Sequence, residues 1–99
     1  MSASIQFEWD EANIGHLAQH GVQPDEAEQV IRNQPIDLDF ETRHGEQRTT
    51  QLGATHQGRV LIVVTTQAEN RVRIVTAWPA KERLRRSWET QERSRREPE

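Results

Sequence analysis

The residues best equipped for chemistry fall in two short stretches. In Arg71-Val72-Arg73-Ile74-Val75-Thr76-Ala77-Trp78, two arginines stand two positions apart in a run of strand-forming residues. Side chains alternate across a strand, which puts Arg71, Arg73, Val75 and Ala77 on one face and Val72, Ile74 and Thr76 on the other. A guanidinium is permanently charged and its planar N–H donors match phosphate oxygens, so a pair of them on a rigid strand suits an anionic substrate. A solvated face carrying cross-strand pairs to carboxylates has the same pattern. The second stretch, His44-Gly45-Glu46-Gln47-Arg48, gathers an imidazole, a carboxylate and a guanidinium within five positions. That is an inventory for general base, general acid and anion stabiliser. Glu46 and Arg48, two apart, would share a strand face, although a polar hairpin turn uses the same residue types.

Two further groups are less specific. His16 and His20 are spaced i, i+4, a geometry that suits zinc, but no second ligand pair of comparable spacing accompanies them, and His20 fits better beside the free carbonyls of a helix end. Near the C-terminus Lys81, Arg83, Arg85, Arg86, Arg93, Arg95 and Arg96 are interleaved with Glu82, Glu89 and Glu92. Pairs such as Glu82–Arg86 and Glu89–Arg93 describe a partly self-paired helix surface rather than a uniform nucleic-acid arm. Lys81 is the cation of this group nearest in sequence to the arginine strand.

These residues need a scaffold, and its elements can be read in order. Phe7-Glu8-Trp9 is a short extended lead-in, and Asp10 is an N-cap for a first helix, with Trp9 and Ile14 at the spacing of a hydrophobic staple. Ile14, Leu17 and Ala18 give that helix an apolar stripe, and Gly21 ends it. Pro24 suits the first position of a second helix, whose stripe is Ala27, Val30 and Ile31, and Asn33 and Pro35 stop it. From Ile36 the period changes: Ile36, Leu38 and Phe40 alternate with Asp37, Asp39 and Glu41, as in a strand with one wet face. Strands follow over 47–55, 59–66 and 71–77, the second of them apolar on both faces through Val60-Leu61-Ile62-Val63-Val64. Short links favour an antiparallel meander. Pro79 suits the first turn of a last helix running to about 93, held down by Ala80, Leu84 and Trp88, with a frayed tail at 94–99. The expected fold class is α+β: two N-terminal helices, a four-stranded antiparallel meander sheet and a C-terminal helix, in a single domain over residues 1–99.

Composition narrows the rest. Zero cysteines exclude disulfides and thiolate metal sites and fit a cytoplasmic protein. No apolar run is long enough to span a bilayer, and no basic-then-apolar leader opens the sequence. The net charge of −3 hides an asymmetry: residues 1–46 carry two arginines against ten carboxylates (−8), and residues 47–99 eleven Lys/Arg against six (+5). An anionic partner for the second half, or acidic helices packed beside a basic sheet, explains the split.

The order of these pieces resembles the BrnT family, toxins of type II toxin–antitoxin systems. The resemblance is carried by Phe7-Glu8-Trp9-Asp10, His20-Gly21-Val22, Asp25-Glu26-Ala27-Glu28-Gln29-Val30, Gly45-Glu46-Gln47-Arg48, Leu52-Gly53, Gly58-Arg59-Val60-Leu61-Ile62-Val63-Val64 and Arg71-Val72-Arg73-Ile74-Val75-Thr76-Ala77, followed by Arg85-Arg86-Ser87-Trp88-Glu89. It implies a RelE-like fold and a metal-independent ribonuclease, without cofactor, that binds and cleaves RNA and inhibits translation. It also implies a BrnA-like antitoxin bearing a ribbon–helix–helix region, a hetero-oligomer with it, DNA contact only through that partner, and no membrane. The catalytic set expected on this basis is Glu46, Arg48, Arg73 and Lys81, with His44, Arg71 and Trp78 binding substrate. The chain departs from the family pattern where Trp78 follows Thr76-Ala77, where Ala54 follows Leu52-Gly53, and where Thr49-Thr50 follow Arg48, all places often basic or aromatic in the family. A catalytically weak module that holds an antitoxin and tunes operon repression is the alternative these departures raise.

Overall fold

A computed structural model describes residues 5–96. Its elements are β1 (Gln6–Glu8), α1 (Glu11–Gln19), α2 (Pro24–Arg32), β2 (Ile36–Arg43), β3 (Glu46–Ala54), β4 (Val60–Ala68), β5 (Arg71–Pro79) and α3 (Glu82–Arg96). The class is α+β with three helices, as the sequence patterns indicate, but the sheet has five strands in the order β1-β5-β4-β3-β2. β2 to β5 form the expected antiparallel meander, and the extended lead-in is the additional strand, pairing parallel with β5 through Gln6↔Arg71, Phe7↔Val72 and Glu8↔Arg73. Three residues are too short to announce a strand by alternation, and a parallel partner sixty-five residues away leaves no local signal.

Two apolar clusters lie on opposite faces of this sheet. On one face Leu17, Val22, Ala27 and Val30 from the α1–α2 pair bury against Leu61, Val63, Ile74 and Ala77, with Phe7 and Trp9 at the margin. On the other, Trp88 of α3 covers Leu52, Ala54, Val60 and Ile62, with Trp78, Ala80 and Leu84 packed alongside. β4 supplies both clusters, which explains why its sequence is apolar without alternation.

Local departures from the expected pattern have identifiable causes. In β5 the register passes from Val64↔Thr76 to Thr65↔Ile74, so Val75 is an extra, bulged residue. Ile74 and Ala77 therefore share the α1–α2 face, and Ala77 does not lie with Arg71 and Arg73 as strict alternation requires. A second irregularity at Leu38 in β2 breaks the alternation of Ile36, Leu38 and Phe40: Ile36 packs with the α3 cluster, whereas Phe40 is 60% exposed. In α1 the buried residues are Asn13 and Leu17, and Ile14 is exposed, so the helix turns a polar residue inward. Gly21, at φ +71, closes that helix as expected. Pro79 ends β5 rather than opening a helix, because Ala80 N–H still donates to the Val60 carbonyl at 3.0 Å and α3 starts three residues later. α3 continues to Arg96, where fraying was expected from 94; Arg95 is bonded to the Gln34 carbonyl at 3.1 Å, and 97–99 lie outside the described residues. No helix among the described residues is long and apolar enough to cross a membrane.

Candidate active site on the open face of the sheet

α3 packs across only one end of its face of the sheet, over the row Ile36–Leu52–Ile62–Trp78. Strand register defines the rows beyond it. Next comes Asp39–Thr50–Val64–Thr76, then Glu41–Arg48–Thr66–Arg73–Glu8, which crosses all five strands on the same face. Arg48 and Arg73 thus flank Thr66 two strands apart, about 10 Å between backbones. Thr66 between them is 5% exposed; Arg73 turns its guanidinium toward Glu8 and Asp10, and Arg48 contacts Glu46. Arg71 and Glu46 lie on the same face, one pleat further from α3.

Arg73 is the most constrained member. Its Nη1 donates to Asp10 Oδ2 at 2.7 Å and to Glu8 Oε2 at 3.3 Å, and its Nη2 donates to Asp10 Oδ1 at 3.2 Å. The side chain keeps 26% of its surface accessible. Hydrogen bonds from the Arg73 guanidinium, and then from the Asn13 backbone N–H, hold the Asp10 carboxyl well below the usual range, at about 2. The same Asp10 bond, against some desolvation, raises Arg73 further above its ordinary value.

The base of this arrangement is Asn13, which is 1% exposed. Its Nδ2 donates to the carbonyls of Glu8 (2.9 Å) and Ile74 (3.0 Å), and its Oδ1 accepts from the Asp10 N–H at 2.7 Å. Asp10 in turn caps α1 through the Asn13 N–H at 3.0 Å. Because β1 stops at Glu8, α1 occupies the edge of β5 where a longer strand would lie. His16 Nδ1 sits 3.4 Å from the Val75 carbonyl, and the His20 ring lies 6.2 Å from the Trp78 ring, tilted by 54°. The two histidines are therefore spent along this edge, one at a carbonyl and one at an indole.

The remaining expected residues are distributed as follows. Arg48 Nε contacts Glu46 Oε1 at 3.4 Å, and Glu46 is half exposed. His44 (φ +53) and Gly45 (φ +76) form the two-residue turn between β2 and β3, beyond the closing pair Arg43↔Glu46. That puts His44 at the hairpin tip beside Glu46, exposed. Lys81 is not brought to the arginines: it follows the far end of β5, about 20 Å along the strand from Arg73. Trp78 is half-buried in the α3 cluster, five residues beyond Arg73. A groove of about 750 Å³ opens elsewhere, between α3 and the β3–β4 turn, lined among others by Asn33, Thr55, His56, Trp88 and Arg93; none of the expected site residues lines it.

Sequence reasoning missed Glu8, Asp10 and Thr66. Asp10 was legible only as a helix cap, Glu8 required the parallel pairing of β1, and Thr66 enters only through the register of three strands.

Comparison with known proteins identifies the family. No individual curated protein matches the chain. The model of one family, described as the ribonuclease toxin BrnT of type II toxin–antitoxin systems, matches residues 9–83, which take in α1, α2, β2 to β5 and the start of α3. With three quarters of its length covered by that match, the chain belongs to the BrnT family of ribonuclease toxins.

Proposed function

We propose that this chain cleaves RNA on the open face of its sheet, by side-chain chemistry that uses the ribose 2′-OH as nucleophile. The observation that carries the proposal is the in-register row Arg48–Thr66–Arg73 on a face that α3 leaves uncovered. A phosphodiester seated above Thr66 would meet both guanidinium groups, with Arg71 one pleat away for a neighbouring phosphate. Glu46, or His44 from the adjacent turn, takes the proton of the 2′-OH as its oxygen attacks phosphorus. The phosphorus–O5′ bond breaks, the leaving oxygen takes a proton from water while the base returns its own to solvent, and the products are a 2′,3′-cyclic phosphate and a 5′-hydroxyl. Arg48 and Arg73 stabilise the charge that builds on the phosphoryl oxygens during this step. Lys81 and the exposed part of Trp78, at the other end of β5, serve a flanking phosphate and base rather than the reacting centre.

A RelE-like toxin fold, arrest of translation in the cytoplasm and neutralisation by a BrnA-like ribbon–helix–helix antitoxin complete the proposal, and family membership supports the existence of an antitoxin partner. Arg73→Ala is expected to abolish RNA cleavage and growth arrest while leaving the fold and antitoxin binding intact. A fully toxic Arg73→Ala strain would overturn the assignment.

One observation favours a second reading, a weak or inactive toxin that mainly holds its antitoxin. Where the family often has a cation after the Thr76-Ala77 pair, Trp78 packs into the α3 cluster instead. Expression with and without the neighbouring small reading frame, followed by mapping of total RNA, separates the two. Cleavage and arrest relieved by the partner support the enzyme, and a folded product that leaves RNA intact supports the binding module.

A further inference from the structure

The Arg73 guanidinium has five N–H donors in one plane, and the fold engages three of them. Asp10 takes the end-on fork, one proton from each Nη, and Glu8 takes the second Nη1 proton. Left over are Nε–H and the outer Nη2–H. These two run parallel on the remaining edge of the group and form a complete second fork, spaced for two phosphate oxygens. Neither has a protein partner among the described residues.

What fixes the direction of that fork is a closed circuit. Arg73 bonds to Asp10, Asp10 to Asn13, and Asn13 Nδ2 to the carbonyl of Ile74, the residue next to Arg73. Asn13 is buried and fully engaged, so the circuit has little freedom. We propose that Asp10 is a positioning residue for RNA cleavage, holding Arg73 edge-on so that its Nε–Nη2 fork meets the reacting phosphate. The proposal rests on the reaction described above.

A kinetic signature follows from the charges. Two carboxylates already offset much of the Arg73 charge, so the residue adds little to the general attraction of RNA. Its value is directional and grows as charge develops on the phosphoryl oxygens, so it belongs to the transition state rather than to ground-state binding. Loosening the clamp should lower kcat and leave KM almost unchanged. An ordinary surface ion pair would move neither.

Asp10→Ser tests this, because serine still caps a helix with its hydroxyl but cannot replace Oδ2. Asp10→Asn is the companion variant, keeping both cap and size while removing the charge. Thermal unfolding, steady-state cleavage of an RNA oligonucleotide, and binding of its uncleavable 2′-deoxy analogue are measured on the full chain. For Asp10→Ser the expected result is a folded protein with a moderately lowered Tm, a fall in kcat of roughly 10–100-fold, and little change in KM or in analogue affinity. Asp10→Asn should fall between Asp10→Ser and the unaltered protein. An unchanged kcat in Asp10→Ser, or a loss confined to KM, overturns the positioning role; should Asp10→Ser fail to fold, Asp10→Asn is judged by the same two numbers. Arg73→Ala run in parallel tells the failures apart. If it is inactive while the folded Asp10 variants are fully active, only the positioning role falls. If it cleaves normally, the reaction proposed above falls with it.

Discussion

Asp10 does two jobs with one carboxylate, and its ionisation makes both visible. Its pKa of about 2 lies below the ordinary carboxylate value of 3.8 because Arg73, and then the Asn13 N–H, favour the charged form. A group whose pKa is depressed on folding adds stability above its unfolded pKa and loses it as pH falls through the folded one. The window here runs from about pH 4 down to about pH 2. Urea unfolding of the unaltered chain and of Asp10→Ser should therefore differ most at pH 5 and above, and the gap should close as pH is lowered through that window. A gap that stays constant would mean that Asp10 contributes no ion pair. At this scale the sequence was half legible. Arg73 announced itself by type and spacing, and Glu46 and Arg48 by their shared strand face. The carboxylates that hold Arg73 did not, because one looked like a helix cap and the other lay in a strand that local patterning cannot detect.

Among the elements, α1 departs furthest from expectation. Its nine residues offer a weak apolar stripe, and of the patterned Ile14, Leu17 and Ala18 only Leu17 is buried. The helix instead turns Asn13, His16 and His20 toward the exposed edge of β5, where polar side chains can answer carbonyls that a short β1 leaves unpaired. Hydrophobic periodicity cannot anticipate a helix docked against a strand edge, since that side is chosen by hydrogen bonding. Asn13→Ala should accordingly be costly. It strands the Glu8 and Ile74 carbonyls and the Asp10 N–H, and a loss of about 2–3 kcal/mol in chemical denaturation is expected. The second helix was easier to read: Pro24, the acidic first turn and the Ala27–Val30 stripe all occur as patterned. It is also tied down by Glu26, which accepts two bonds from Arg59 Nη1 at 2.9 and 3.0 Å.

For the whole molecule, the sheet is a partition with unequal cover. The α1–α2 pair builds one core against it, and α3 builds a second, smaller one that leaves the arginine rows open. Trp88, 4% exposed, anchors that smaller core. Trp88→Ala should cost about 3–5 kcal/mol, read as a lowered denaturation midpoint. The charge asymmetry of the sequence takes on a different meaning in space. The two halves are not segregated, because acidic Glu8 and Asp10 meet Arg73, and Glu41 of β2 stands opposite Arg48. The basic half is thus partly neutralised by the acidic one, and under the proposed function RNA would be held more by a few directed donors than by a uniform field. The single extra residue at Val75 makes this division of labour workable. Ahead of it, β5 turns Arg71 and Arg73 toward solvent; behind it, with the phase reversed, the same strand commits Ala77 to one core and Trp78 to the other. The bulge acts as a splice between two half-strands, so that changes in what the front half grips need not disturb what the rear half supports.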